Sequence, residues 1–278
     1  MNATINGAIP VFDQLESKDQ AWNVYQYMLK LGSQAIGKLV LGMDWGHFTD
    51  EDAPLNEFVL AMAEELSLNK KVTSKGDWYA NLPFGDPKQL KEIRRMQHER
   101  ISKAIATAES SGTEDLPLQD AALKAANVID YLIRATDGSG QKLPRENLVD
   151  AVTVAAGAGF TTTSTLLSWL VYGLVTYPGM QARLLQELVD NEFADDTEVT
   201  PEMTERLTFQ EKYIKEMQRV HNPSYQPGRT ARLDCVLPGG YRIHEGDVCI
   251  AAIHHIHNNP KLWTDPVSRT SCRCQRSS

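Results

Sequence analysis

The sequence predicts a mainly α-helical fold with a small β-sheet near the C-terminus. Three observations carry that prediction. Apolar residues recur at helical spacing through the first three quarters of the chain. One stretch, Ala151 through Ala182, holds no charged residue. Beyond Pro223 the pattern changes to short apolar or alternating runs split by glycine-rich turns. With 278 residues, 42% hydrophobic and 23% charged, the chain can bury a sizeable core, and its length admits one large domain or two small ones. Ordinary glycine and proline contents exclude collagen-like and broadly disordered chains. A net charge of -8 argues against a bulk basic surface, so no nucleic-acid partner is expected. The four cysteines, Cys235, Cys249, Cys272 and Cys274, show no regular spacing, which excludes a disulfide-stapled secreted domain. The opening MNATINGAIPVFDQ has no basic flank followed by an apolar stretch, so neither a signal peptide nor an N-terminal membrane anchor is expected.

Ala21 to Met43 places Trp22, Tyr25, Met28, Leu29, Ile36, Leu39 and Val40 at helical spacing, interrupted by Gly32 and Gly37. Asp50 to Leu68 is a second helix through Leu55, Phe58, Val59, Met62 and Leu66. VTSKGDWYANLPFGDP reads as a loop. Asp86 and Pro87 suit a helix start, and the charged helix that follows runs to about Ser110. After the turn SSGTEDLP, Ala121 to Arg134 is helical again, and TDGSGQKLP is an exposed connection. Pro144 and Glu146 suit the first turn of the next helix. Shorter helices follow over Gly179 to Asp190, after Thr200-Pro201, and over Phe209 to Val220. ARLDCVL, GGYRI and DVCIAAI read as strands split by Pro-Gly-Gly and Glu-Gly-Asp turns. The last dozen residues, VSRTSCRCQRSS, lack periodicity and are expected to be disordered.

The uncharged stretch AVTVAAGAGFTTTSTLLSWLVYGLVTYP admits three readings. A membrane span over about 151–177 satisfies the length rule, but the run has glycines at 157 and 159, five consecutive hydroxyl residues and no flanking cluster of lysine or arginine. A nucleotide loop would need a third glycine after Gly157 and Gly159 and a preceding strand. A helix buried through a large helical domain is apolar all round, and small residues at Ala158 and Gly159 would let a flat group approach its backbone beside Thr161 and Thr162.

Two later features bear on the choice. Glu216 and Arg219, three apart, share a helix face and can pair. GRTARLDCVLPGGYRIHEGDVCIAAIHHIHNNPKLWTDP then runs strand, Gly-Gly turn and strand into His257-Asn258-Asn259-Pro260 and Trp263-Thr264-Asp265-Pro266. In this order the segments resemble the cytochrome P450 family of haem-thiolate monooxygenases. Ala158-Gly159-Phe160-Thr161-Thr162-Thr163-Ser164 is similar to the oxygen-groove motif of that family's long central helix. Tyr177-Pro178-Gly179-Met180-Gln181 is similar to the start of the next helix, and Glu216 to Arg219 to the Glu-x-x-Arg that follows. Gly240 to Asp247 is similar to the small sheet after Glu-x-x-Arg.

The resemblance implies a partial cytochrome P450 fold over residues 1–266, with 267–278 a tail foreign to the family. It implies haem against Ala158 and Gly159. Thr162, with Thr161, would hydrogen-bond dioxygen or its water and help deliver protons, Arg229 would partner a haem propionate, and Glu216 with Arg219 would form a structural pair. It further implies oxidation of an apolar small molecule with electrons from an NAD(P)H-dependent reductase. Two departures stand out. The acidic residue usual before the key threonine is Thr161 here. The segment after Pro266 carries neither the family's meander arginine, which leaves Glu216 and Arg219 one partner short, nor its Phe-x-x-Gly-x-Arg-x-Cys-x-Gly loop. Cys272 and Cys274 sit among serine and arginine, so no thiolate ligand is assigned, and the chain is expected to be truncated at both ends and inactive as written. A haem-free fragment acting by interaction, and the membrane span, stay as alternatives. A zinc cluster of His254, His255, His257, Cys272 and Cys274 matches no standard spacing, and no metal site is assigned.

Overall fold

The computed structural model describes residues 1–19, 21–112, 114–224 and 227–266. The chain divides into two compact units, Met1–Ser164 and Thr165–Ser278. The expected tail over 267–278 lies outside the described residues.

The first unit opens with α1 (Asn2–Ser17), outside the predicted helices, which buries Thr4, Ala8, Val11 and Leu15 along one face. Next, α2 (Val24–Ile36) starts where the Asn23 side chain accepts the Gln26 N–H. The helix predicted over Ala21 to Met43 changes pitch at Gly37. A π-helical turn, Gly37–Leu41, closes on Gly42 at φ 68°. Trp45 sits at the change of pitch: its Nε1 donates to the Ser33 carbonyl at 3.1 Å, and a Cβ on Gly37 would lie 2.0 Å from that nitrogen.

The second predicted helix begins later than Asp50, at Glu57, because Asn56 serves as its cap; α3 spans Glu57–Thr73. A short helix, α4 (Asp77–Ala80), lies within the predicted loop, and α5 (Gly85–Ser110) follows the predicted charged helix closely. The helix expected over Ala121 to Arg134 is two helices, α6 (Leu118–Lys124) and α7 (Val128–Arg134). Asn127 causes the break, leaving the helical region at φ -158° to accept the Asp130 N–H at 2.9 Å. Two-residue strands β1 (Leu116–Pro117) and β2 (Ala135–Thr136) flank this pair and run parallel. The core joins Leu29, Phe58, Met62, Ile101, Ile129, Val152 and Phe160, the last two from α8 (Arg145–Thr176).

His47 is fully buried in this unit. Its Nε2 accepts the Asn56 N–H at 3.0 Å, so Nδ1 carries the proton and points at the Lys30 carbonyl 3.2 Å away. Burial holds its pKa below the ordinary 6.5. The folded state thus favours neutral imidazole, and its contribution is complete above the unfolded pKa and lost as pH falls below it. The gap in thermal midpoint between the wild type and His47→Gln is expected to narrow from about pH 7.5 to about pH 5.5. A gap that does not change with pH would contradict the neutral assignment.

α8 crosses the unit boundary at Ser164. In the second unit, α9 (Met180–Asp190), α10 (Pro201–Thr204) and α11 (Thr208–Val220) follow. No side chain of its own caps α11. Instead Glu187 on α9 accepts the N–H groups of Phe209 (2.6 Å) and Gln210 (2.8 Å), placing a carboxylate at the positive end of the helix. Gly173 lets α11 close on α8, since a Cβ there would lie 2.4 Å from the Tyr213 hydroxyl, which donates to the Leu170 carbonyl at 2.6 Å.

The predicted small sheet is two separate antiparallel pairs. β3 (Gly228–Thr230) pairs with β6 (Val248–Ile250), and β4 (Cys235–Leu237) with β5 (Tyr241–Ile243). Between them, Gly239 and Gly240 turn the β4–β5 hairpin at φ 93° and 83°. After β6 the chain forms α12 (Ile253–His257).

Candidate functional site

Positions 154, 158 and 162 stack one turn apart on α8. Val154 is 67% exposed and Ala158 is exposed, whereas Thr162 is half-buried. Together they form a small apolar ledge ending in a hydroxyl. Thr162 Oγ1 donates to the Ala158 carbonyl at 2.7 Å, so its oxygen keeps accepting capacity, and outward donation requires the O–H to turn away from that carbonyl. Neighbouring Thr161 is half-buried. Gly159 lies off the ledge: a Cβ there would meet Ile36 Cδ1 at 2.7 Å, so its smallness serves the packing of α8 on α2. One turn on, Ser164 meets Gly32, where a Cβ would lie 2.3 Å from Ser164 Oγ.

The structure brings Glu216 and Arg219 together in the second unit. Arg219 is 7% exposed and Glu216 13% on their side chains, and the fork is bidentate, with Nε–Oε2 and Nη2–Oε1 both 2.8 Å. Arg219 also has acceptors beyond Glu216. Arg219 Nη1 donates to the His257 carbonyl at 2.7 Å, and both terminal nitrogens reach the Pro266 carbonyl, at 3.2 and 3.3 Å. The Trp263 ring lies 5.1 Å from the guanidinium, and its Nε1 donates to the Ile256 carbonyl at 3.0 Å. The Trp-Thr-Asp-Pro string was the available signal for this part of the knot, whereas the two carbonyl partners have none in the sequence. Beside it, His221 stacks on Trp169 at 3.9 Å between centroids, and burial lowers its pKa.

Arg229, in β3 of the second unit, is exposed and donates to the Gly228 carbonyl at 2.8 Å. His254, His255 and His257 lie on helix α12, and His257 is bound to the Arg219 carbonyl through Nδ1 at 3.1 Å. Among the described residues no group of three or more His, Cys, Asp or Glu is placed to hold a metal ion. Cys235 and Cys249 are half-buried in β4 and β6, and Cys272 and Cys274 lie outside the described residues. The ledge of Val154, Ala158 and Thr162 suits the face of a flat group such as haem. An axial thiolate is not assigned among the described residues.

The chain matches the family profile "Cytochrome P450" over residues 6–268, so the match extends through the upstream helices. It is 42% identical over 269 residues to cytochrome P450 monooxygenase alnD of Emericella nidulans, covering 96% of this chain and 49% of that protein. It is 26% identical to cytochrome P450 4F6 of Rattus norvegicus, covering 95% of this chain and 50% of that protein. The chain thus spans about half the length of the curated relatives it matches. Among solved structures, the cytochrome P450 CYP102L1 superposes with a TM-score of 0.78 at 17% identity, over 99% of this chain and 60% of that one. The haem domain of cytochrome P450DA superposes with a TM-score of 0.75 at 20% identity, over 99% of this chain and 56% of that one. The fold is therefore a partial cytochrome P450 fold, the family's cofactor is haem, and the chain belongs to the cytochrome P450 family.

Proposed function

We propose that this chain is the part of a haem-dependent monooxygenase that presents α8 to the cofactor, in an enzyme oxidising an apolar small molecule with dioxygen and electrons from an NAD(P)H-dependent reductase. The observation that carries the reading is the stripe of exposed Val154 and Ala158 ending in half-buried Thr162, on a helix inside the family match. When bound, haem supplies the activation of dioxygen. The chain's own residues do the rest. Ala158 keeps the ledge low enough for a flat group to lie against it. Thr162 holds a hydroxyl at the edge of the ledge, able to accept a proton or, after rotation, to pass one on, with Thr161 beside it. Arg229, exposed on β3, offers a guanidinium to a propionate, and Glu216 with Arg219 holds the second unit together. Residues 1–266 act as one partial domain in this reading, supported by the unbroken family match. Without an assigned thiolate, the chain by itself is not a competent oxygenase.

α8 is also long and apolar enough to cross a membrane. The packing of Val152 and Phe160 in one core, and the hydrogen bond from Tyr213 to Leu170, favour a core helix instead.

A haem titration of the purified chain, followed by the reduced carbon-monoxide difference spectrum, tests both parts. Saturable haem uptake is expected, weakened at least about tenfold by Ala158→Phe, which fills the ledge without touching the core. Uptake that is absent or indifferent to Ala158→Phe overturns the ledge assignment. The difference spectrum is expected to lack the strongly red-shifted Soret band of thiolate ligation; its appearance would overturn the inactivity of the chain.

A further inference from the structure

We infer that the first unit carries a second small-molecule pocket, separate from the α8 ledge, built for an apolar organic anion of the aromatic-carboxylate class. A cavity of about 470 Å³ opens between the π-helical turn, the start of α3, the second half of α5 and the α6–α7 break. That volume lies within the usual range for ligand pockets, about 300–1,000 Å³. No residue of α8 lines it.

The lining sorts by chemistry. Ile101, Ala104 and Ala108 fall on one face of α5, and the two alanines keep the floor low. Trp45 stacked on Phe58, with centroids 5.7 Å apart and planes at 23°, forms a flat wall suited to a flat ligand. The mouth is shaped by the π-helical turn and by Gly42 in the left-handed region, a backbone departure of the kind found at binding sites.

The rim selects the charge. Although the chain is net acidic, Arg100 and Lys103 line the cavity and no carboxylate does. Arg100 is already paired with Glu57, which leaves Lys103 as the rim cation with no carboxylate partner among the described residues. Asn127 adds a donor. Its Oδ1 is committed to the α7 cap, while its Nδ2, packed over Gly42, has no hydrogen-bond acceptor among the described residues. An unpaired ammonium and an unused amide N–H pair above an aromatic wall ask for an acceptor with negative charge on an apolar body.

The test is a titration of the full chain with 1-pyrenebutyrate, read by energy transfer from tryptophan to pyrene, with uncharged 1-pyrenebutanol as control. One saturable equivalent of the carboxylate is expected to bind, and the alcohol more weakly. Lys103→Glu, an exposed change, is expected to raise the Kd of the carboxylate about fivefold to tenfold and leave that of the alcohol unchanged. Ala104→Leu, which grows into the cavity, is expected to weaken both. Non-saturable uptake, equal binding of acid and alcohol, or binding indifferent to Lys103→Glu would overturn the proposal. The Lys103 and alcohol arms decide the matter even if Ala104→Leu destabilises the fold.

Discussion

Arg219→Ala is expected to cost about 3–5 kcal/mol of unfolding free energy, the largest single loss in the second unit. The reason lies less in the attraction lost than in what stays behind. The Glu216 carboxylate is almost enclosed, and the carbonyls of His257 and Pro266 lose their donors in the same step. Urea unfolding followed by tryptophan fluorescence reads the effect, because Trp263 lies against the guanidinium. The companion double replacement, Arg219→Met with Glu216→Met, is expected to cost less than Arg219→Ala alone, since it leaves no unpaired buried charge. A cost for Arg219→Ala below about 1 kcal/mol, the range of an exposed pair, would refute the account of a buried knot.

Gly37→Ala carries the second large effect, and its sign is the informative part. Gly37 has ordinary right-handed helical angles, φ -54° and ψ -48°, where alanine normally stabilises by about 0.5–1 kcal/mol. Here the new methyl would fall 2.0 to 2.7 Å from three atoms of the Trp45 indole, a rigid body that cannot swing away at a single torsion. Displacing the ring also removes the Nε1 bond to Ser33 and the stacking on Phe58. A destabilisation of about 2–4 kcal/mol is expected. Thermal unfolding checks it, and adding Trp45→Ala to Gly37→Ala should cost less than the two single changes summed, because the ring that clashes is then gone. A stabilised Gly37→Ala would show that the indole does not occupy the place described.

What was legible in the sequence and what was not divides along sequence distance. The charged helix α5 and the long helix α8 were readable from their own composition, and α11 from its local pattern. The misplacements come partly from partners far away in the chain and partly from local caps that override a strong apolar period. The Asn56 cap sets the start of α3 at Glu57, and His47 takes the Asn56 N–H, a bond that no local pattern announces. The break between α6 and α7 was signalled only by Asn127, a residue whose capping preference competes with a strong apolar period. The three-residue strands carry too few residues for alternation, and β3 finds its partner across the whole hairpin of β4 and β5. At the candidate site, motif order pointed to Ala158, Gly159 and Thr162. That Gly159 faces Ile36 while Ala158 faces outward depends on the position of α2, which α8 does not encode.

The third side of the Arg219 knot is made of two main-chain carbonyls, at His257 and Pro266. Carbonyl oxygens are common to all twenty residue types, so this side of the knot recognises the path of the chain rather than the identity of a side chain. Point changes at Pro266 leave the acceptor in place, whereas adding or removing a residue between His257 and Pro266 would pull one carbonyl out of reach of the other's donor. The length of this segment is therefore constrained more tightly than the identity of Pro266, while His257 and Trp263 keep side-chain contacts with Arg219.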